Sequence, residues 1–110
     1  MKVKDVIKSD LAVSTEDGDV VCDKISTLLE TKNKAVVDFA DLDLITTAFL
    51  NNAIGKLYSR FNSDTLNKYL QITHVKETDI KLLMKVIEQA SEKFEGSKYE
   101  EILKKELDNE

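Results

Sequence analysis

The sequence predicts an α/β domain. Two segments, "AVVDFAD" and "NKYLQITHV", are rich in β-branched and aromatic residues, and between them apolar residues recur every three to four positions. A strand, a helix and a strand in that order predict a parallel pair joined by a right-handed crossover. The chain has 110 residues, enough for one core, and it contains no proline and three glycines to interrupt its elements. No linker, low-complexity tract or internal repeat divides it.

Taken in order, "MKVKDVIK" places Val3, Val6 and Ile7 among charged residues and reads as a short, partly exposed strand. "STEDGDVVCDKISTLLETK" reads as an amphipathic helix, with Val21, Ile25, Leu28 and Leu29 on one stripe and Ser14 with Asp17 as a capping box. Glu16, Asp17 and Asp19 suit the positive end of the helix macrodipole. Gly18 is unfavourable inside a helix, which allows the helix to begin after it, and the polar spacing suggests that it covers one side of a sheet.

"AVVDFAD" follows as a central strand and ends in an Asp-rich turn. The next helix carries Phe49, Leu50, Ala53, Ile54, Leu57, Tyr58 and Phe61, and Thr46 and Thr47 open it. After the second strand, which includes Tyr69, Leu70, Ile72, Thr73 and Val75, "ETDIKLLMKVIEQASEKFEG" puts Ile80, Leu83, Met84, Ile87, Ala90 and Phe94 on one face, and Gly96 supplies the stop. Ser97 and Glu100 open a last helix whose stripe is Tyr99, Ile102, Leu103 and Leu107. The expected architecture is therefore βαβαβα with a C-terminal helical extension, divided as a domain over 1–96 and a helix over 97–110.

Composition narrows the function. A net charge of −5 disfavours nonspecific nucleic-acid binding, which needs lysine and arginine to displace counterions from phosphates. No apolar run approaches the ~20 residues that span a bilayer, and the N-terminal segment lacks the apolar stretch of a secretory signal, so a cytoplasmic protein without membrane contact is expected.

The catalytic inventory is small. Cys22 and His74 are the sole residues of their types, Cys22 reads as core, and no G-x-S-x-G elbow, P-loop lysine or G-x-G-x-x-G occurs. Asp38, Asp41 and Asp43 cluster at the carboxyl end of the central strand, where carboxylates could hold magnesium. They read more simply as turn and capping residues. The expectation is a protein with no catalytic set, no resident metal and no cofactor. The alternative is a small enzyme or nucleotide-binding protein that uses the carboxyl ends of the strands, with Asp38, Asp41, Thr47 and His74 as its candidates.

The stretch "AVVDFADLDLITTAFLNNAIGKLYSRF" resembles the central strand, turn and helix of STAS domains, the fold of bacterial anti-sigma-factor antagonists, and more closely the STAS-like family of small bacterial proteins. The strand ending in Asp-Phe, the Asp-Leu turn and the Ile-Thr-Thr-Ala-Phe-Leu helix entry carry the likeness. It implies a small STAS-like sandwich that acts as a regulatory protein-binding module. The implied partner is an anti-sigma-type regulator or kinase-like ATPase, which phosphorylates the amino end of this helix. Matched by position, the phosphorylatable residue is Thr47, and Thr46 takes the place of the acid before it. The departure from the family's serine leaves docking as the firmer implication.

A phosphate at this helix amino terminus would be held locally and would repel an acidic partner. Asp41, Thr46, Thr47, Asn51, Gly55 and Ser59 are then the expected partner-binding residues. Asn51, Gly55 and Ser59 recur every four residues as a small-residue stripe, and Gly55 marks a place of tight packing. Self-association through the C-terminal helix, giving a homo-oligomer, is compatible with either reading.

Overall fold

Packing begins with the two strands that the sequence marks most strongly. In the structure, a computed structural model that describes residues 1–92, β2 (Ala35–Asp38) and β4 (Leu70–Thr73) pair in parallel, with Ala35 opposite Leu70 and Asp38 opposite Thr73. Ala35 and Val37 face the core, and Val36 and Gln71 face outward as a register pair.

The N-terminal strand expected from "MKVKDVIK" is a helix instead. The first two residues do lie beside β2: Asp38 N–H donates to the Met1 carbonyl at 2.8 Å, and Lys2 forms a parallel bridge with Asp38. The chain then turns into α1 (Val3–Ile7), which buries Val3 completely and ends at Lys8 in the left-handed conformation. Alternation over so few residues cannot distinguish a strand from one helical turn.

β1 (Leu11–Ala12) and β3 (Leu44–Ile45) form a second parallel pair that the sequence reading missed, because each is only two residues long. Ala12 and Ile45 point into the core.

α2 (Thr15–Glu30) begins before Gly18, not after it. Ser14 caps it by accepting the Asp17 N–H at 3.1 Å. Its end is a Schellman turn, with Lys32 in the left-handed conformation and the Asn33 N–H bonded to the Leu28 carbonyl at 3.0 Å. The helix buries Val21, Cys22, Ile25 and Leu29, and much of its packing is against another helix rather than a sheet.

That neighbour is the crossover helix. It opens as α3 (Thr47–Leu50), widens into a π-helical turn over Asn51–Gly55 and resumes as α4 (Leu57–Arg60). The Lys56 N–H reaches back to the Asn51 carbonyl at 3.0 Å, the five-residue spacing of a π turn. A further helix, α5 (Ser63–Tyr69), capped by Asn62, takes up Asn67, Lys68 and Tyr69, so the second strand starts three residues later than the sequence suggested and ends two residues earlier, at Thr73.

α6 (Glu77–Ser91) forms as expected, but its buried stripe is rotated. Leu83, Val86 and Ala90 face the core, whereas Ile80 and Met84 are exposed. The reason is the surface that receives it: Gly55 leaves a shallow seat beneath Val86 and Ala90. Phe94, the Gly96 stop and the helix over 97–110 with its apolar stripe lie outside the described residues. Among the described residues, no helix is long and apolar enough to cross a membrane.

Candidate functional site

Two parallel strands, β1 and β3, lead at their carboxyl ends into two helices, α2 and α3. The junction is joined through Thr46. Its N–H donates to the Ala12 carbonyl at 3.0 Å and its hydroxyl donates to the Val13 carbonyl at 3.0 Å. The same hydroxyl oxygen caps α3 by accepting the Phe49 N–H at 3.3 Å. Thr47, the first residue of α3, is exposed. The two threonines that the sequence treats as a pair therefore differ physically.

Thr46→Ala should lower stability by about 1 to 2 kcal/mol, because both the cap and the tie to Val13 are lost. Thr47→Ala should change it by less than about 0.5 kcal/mol. Paired thermal melts check this contrast.

Beside Thr46, the outer face of the strand pair is apolar. Leu11 and Leu44 are register partners and stand 46% and 52% exposed, and Val13 lies two residues beyond Leu11 at 36%. The sequence reading overlooked all three. The sequence offered no periodic signal for them, since each strand is two residues long, and only the pairing shows that Leu11 and Leu44 turn out while Ala12 and Ile45 turn in.

The small-residue stripe does not form a single exposed edge. Asn51 and Ser59 are exposed, but Gly55 is buried, and a Cβ built on it would sit 3.5 Å from Val86 and 3.9 Å from Ala90. Gly55 is therefore sealed beneath α6 and cannot contact a partner. The π turn shifts the register, so a spacing of four residues no longer keeps one face. The tightest approach lies elsewhere. A Cβ on Gly18 would fall 2.7 Å from both the Phe49 carbonyl oxygen and Asn52 Cβ.

Three side chains of the crossover helix knit it to α2 nearby. Lys56 pairs with Asp19 at 2.7 Å, Asn52 donates to Asp19 at 3.0 Å, and Arg60 reaches both Asp23 and Ser26 at 3.0 Å. The Lys56 ammonium holds the Asp19 carboxyl below the ordinary aspartate range. Cys22, wholly buried behind these contacts, has its thiol pushed up by desolvation, so it stays protonated and poorly nucleophilic.

At the carboxyl ends of β2 and β4, Asp38 Oδ1 accepts the Ala40 N–H at 2.8 Å and lies 2.9 Å from His74 Nδ1. His74 and Asp41 both adopt the left-handed conformation, and Lys2 pairs with Asp41 at 2.8 Å. The structure thus joins Asp38 to His74 and turns Asp41 toward Lys2. Asp43 is exposed and uses its N–H on the Asp10 carbonyl at 2.8 Å. Among the described residues, no three histidine, cysteine or acidic side chains are grouped to hold a metal ion.

The Ala40 N–H, and after it His74, holds the Asp38 carboxyl below its ordinary value. A depressed carboxyl pKa contributes stability that is present above the unfolded value of about 3.9 and lost as pH falls through the folded value. Melting of the wild type against Asp38→Asn should therefore show a gap at pH 6 that closes toward pH 3.

No curated protein and no solved structure matches the chain. A family described as a STAS-like domain of unknown function (DUF4325) matches residues 17–79, which takes in most of α2, both longer strands and the whole crossover helix. That match covers more than half of the sequence and agrees with the mixed α/β architecture of short parallel strands. The chain belongs to the family of STAS-like domains of unknown function.

Proposed function

We propose that this protein is a non-catalytic regulatory module that binds a protein partner, an anti-sigma-type regulator or kinase-like ATPase, through the junction where β1 and β3 meet the amino end of α3. The observation that carries this reading is the pairing of an exposed apolar strand face, Leu11 with Leu44, with the Thr46 cap and an exposed Thr47 two residues beyond the end of β3. A surface of this kind is suited to contact. The nearby polar groups are engaged internally, Thr46 with Val13 and Phe49 and Asp41 with Lys2. Asp41, Thr46, Thr47, Asn51 and Ser59 remain the rim residues of the proposal, and Gly55 leaves it.

Phosphorylation of Thr47 is the proposed switch. It would add a charge of about −1.5 to −2 at the helix amino end without first breaking the cap, since the cap is made by Thr46. Affinity purification from the source organism tests both parts. A stoichiometric partner is expected, with recovery changed about tenfold, or ~1.4 kcal/mol, by Thr47→Glu. Mass spectrometry is expected to find phosphate on the Thr47 peptide. Absence of any stoichiometric partner contradicts the module, and an unmodified Thr47 peptide together with a silent Thr47→Glu contradicts the switch.

A further inference from the structure

We infer that the partner presents a basic segment with an apolar side chain at its centre, seated on the outer face of the β1–β3 pair. This rests on the partner-binding reading above and specifies the chemistry of the same surface.

The charges carried by the two strands and by the helix entries beside them are of one sign. Residues 9–23 and 35–55, which supply both strands, both helix starts and the first part of the crossover helix, contain acidic residues but no lysine or arginine. The nearest cations along the chain to β1, Lys8 and Lys24, fall outside these segments. Three of the acids there are matched by cations, Asp19 by Lys56, Asp23 by Arg60 and Asp41 by Lys2, and Asp38 is bonded to the His74 ring. Asp10, Glu16, Asp17 and Asp43 have no cationic partner among the described residues.

Their placement brackets the apolar pair. Asp10 and Asp43 immediately precede the two strands and are tied together by the Asp43 N–H, and Glu16 stands in the first turn of α2 just beyond Val13. Leu11 and Leu44 thus form an apolar centre with unmatched negative charge at both ends. An acidic partner would meet uncompensated repulsion here, whereas a basic one gains charge complementarity as well as buried apolar area. The Thr47 switch then acquires a direction. Negative charge added at the edge of the face favours a basic partner and strengthens docking, opposite to the repulsion expected from sequence alone.

The test places a photo-crosslinking benzoylphenylalanine at Leu44 in the full chain, and separately at Thr47, with Val36 on the outward face of β2 as a control. After irradiation in extract of the source organism, the crosslinked peptide is sequenced, synthesised and titrated. A net-positive peptide is expected, attached next to an apolar residue and captured at Leu44 but not at Val36. Its Kd is expected to weaken about tenfold for Leu44→Ser or Leu11→Ser, to weaken on raising salt, and to tighten for Thr47→Glu. Both leucines are exposed, and circular dichroism confirms that the variants fold.

An acidic peptide, a second copy of this chain, or salt-independent binding overturns the inference while leaving partner binding intact. Capture at neither Leu44 nor Thr47 overturns the partner-binding reading itself.

Discussion

Phe49→Ala is expected to destabilise the domain by about 3 to 5 kcal/mol. Phe49 is fully buried and heads the largest side chains of the core. It lies in α3 immediately before the π turn, where that segment packs on α2 and α6. Removing the ring leaves a cavity bounded by helices that are tied elsewhere by Lys56–Asp19 and Arg60–Asp23, so collapse can recover little of the loss. Domains of this size have about 5 to 15 kcal/mol in total, so the variant should be barely folded. Equilibrium urea unfolding is the check. The midpoint should fall steeply at unchanged slope, and a loss below about 1 kcal/mol would show that the ring is not in the core.

Gly18→Ala should also be severely destabilising, although the same change in an isolated helix is favourable by about 1 kcal/mol. The added methyl has no space: it would meet the Phe49 carbonyl oxygen and Asn52 Cβ at 2.7 Å, and one of these is backbone. Overpacking of about 3 kcal/mol, less the gain in helix propensity, leaves a loss of about 2 kcal/mol, or a fall in Tm of about 8 to 16 °C.

Gly55→Ala should go the other way. Its methyl would meet Val86 at 3.5 Å, an ordinary contact, so the gain in helix propensity survives and the protein should be up to about 1 kcal/mol more stable. Melting curves of the two variants side by side give opposite signs if α2 and α3 approach as closely as described, and the same sign if they do not.

The glycines show where reading the sequence reached its limit. A glycine in a helical pattern signals close approach, but the sequence does not say which of two glycines carries it. Gly55, in a long neutral helix, looked the better candidate, and Gly18 looked like a helix boundary. The structure reverses this because Ser14 supplies a cap strong enough to start α2 before Gly18.

The parallel pairing of "AVVD" with "LQIT" was legible, since β-branched runs flanking a helix leave few alternatives. The β1–β3 pair was not, because two residues cannot display a period. With it, Leu11 and Leu44 escaped notice. The helix entry at Thr46 and Thr47 was legible as a site, yet the division of roles between them depended on a tertiary contact, the bond from Thr46 to Val13. Likewise, the sequence pattern put Ile80 and Met84 on the apolar stripe of α6 and left Val86 out, and the seat at Gly55 turns Val86 inward instead.

The proposed docking falls on one surface, the strand face and helix entry formed by residues 11–13 and 44–47. The most direct measurement is a chemical-shift map of isotope-labelled protein titrated with the purified partner. The perturbed amides should be those of Leu11 to Val13 and Leu44 to Ala48, with β4 and α6 unmoved. Perturbation concentrated instead around Asp38 and His74, or along the Ile80 and Met84 face, would contradict it.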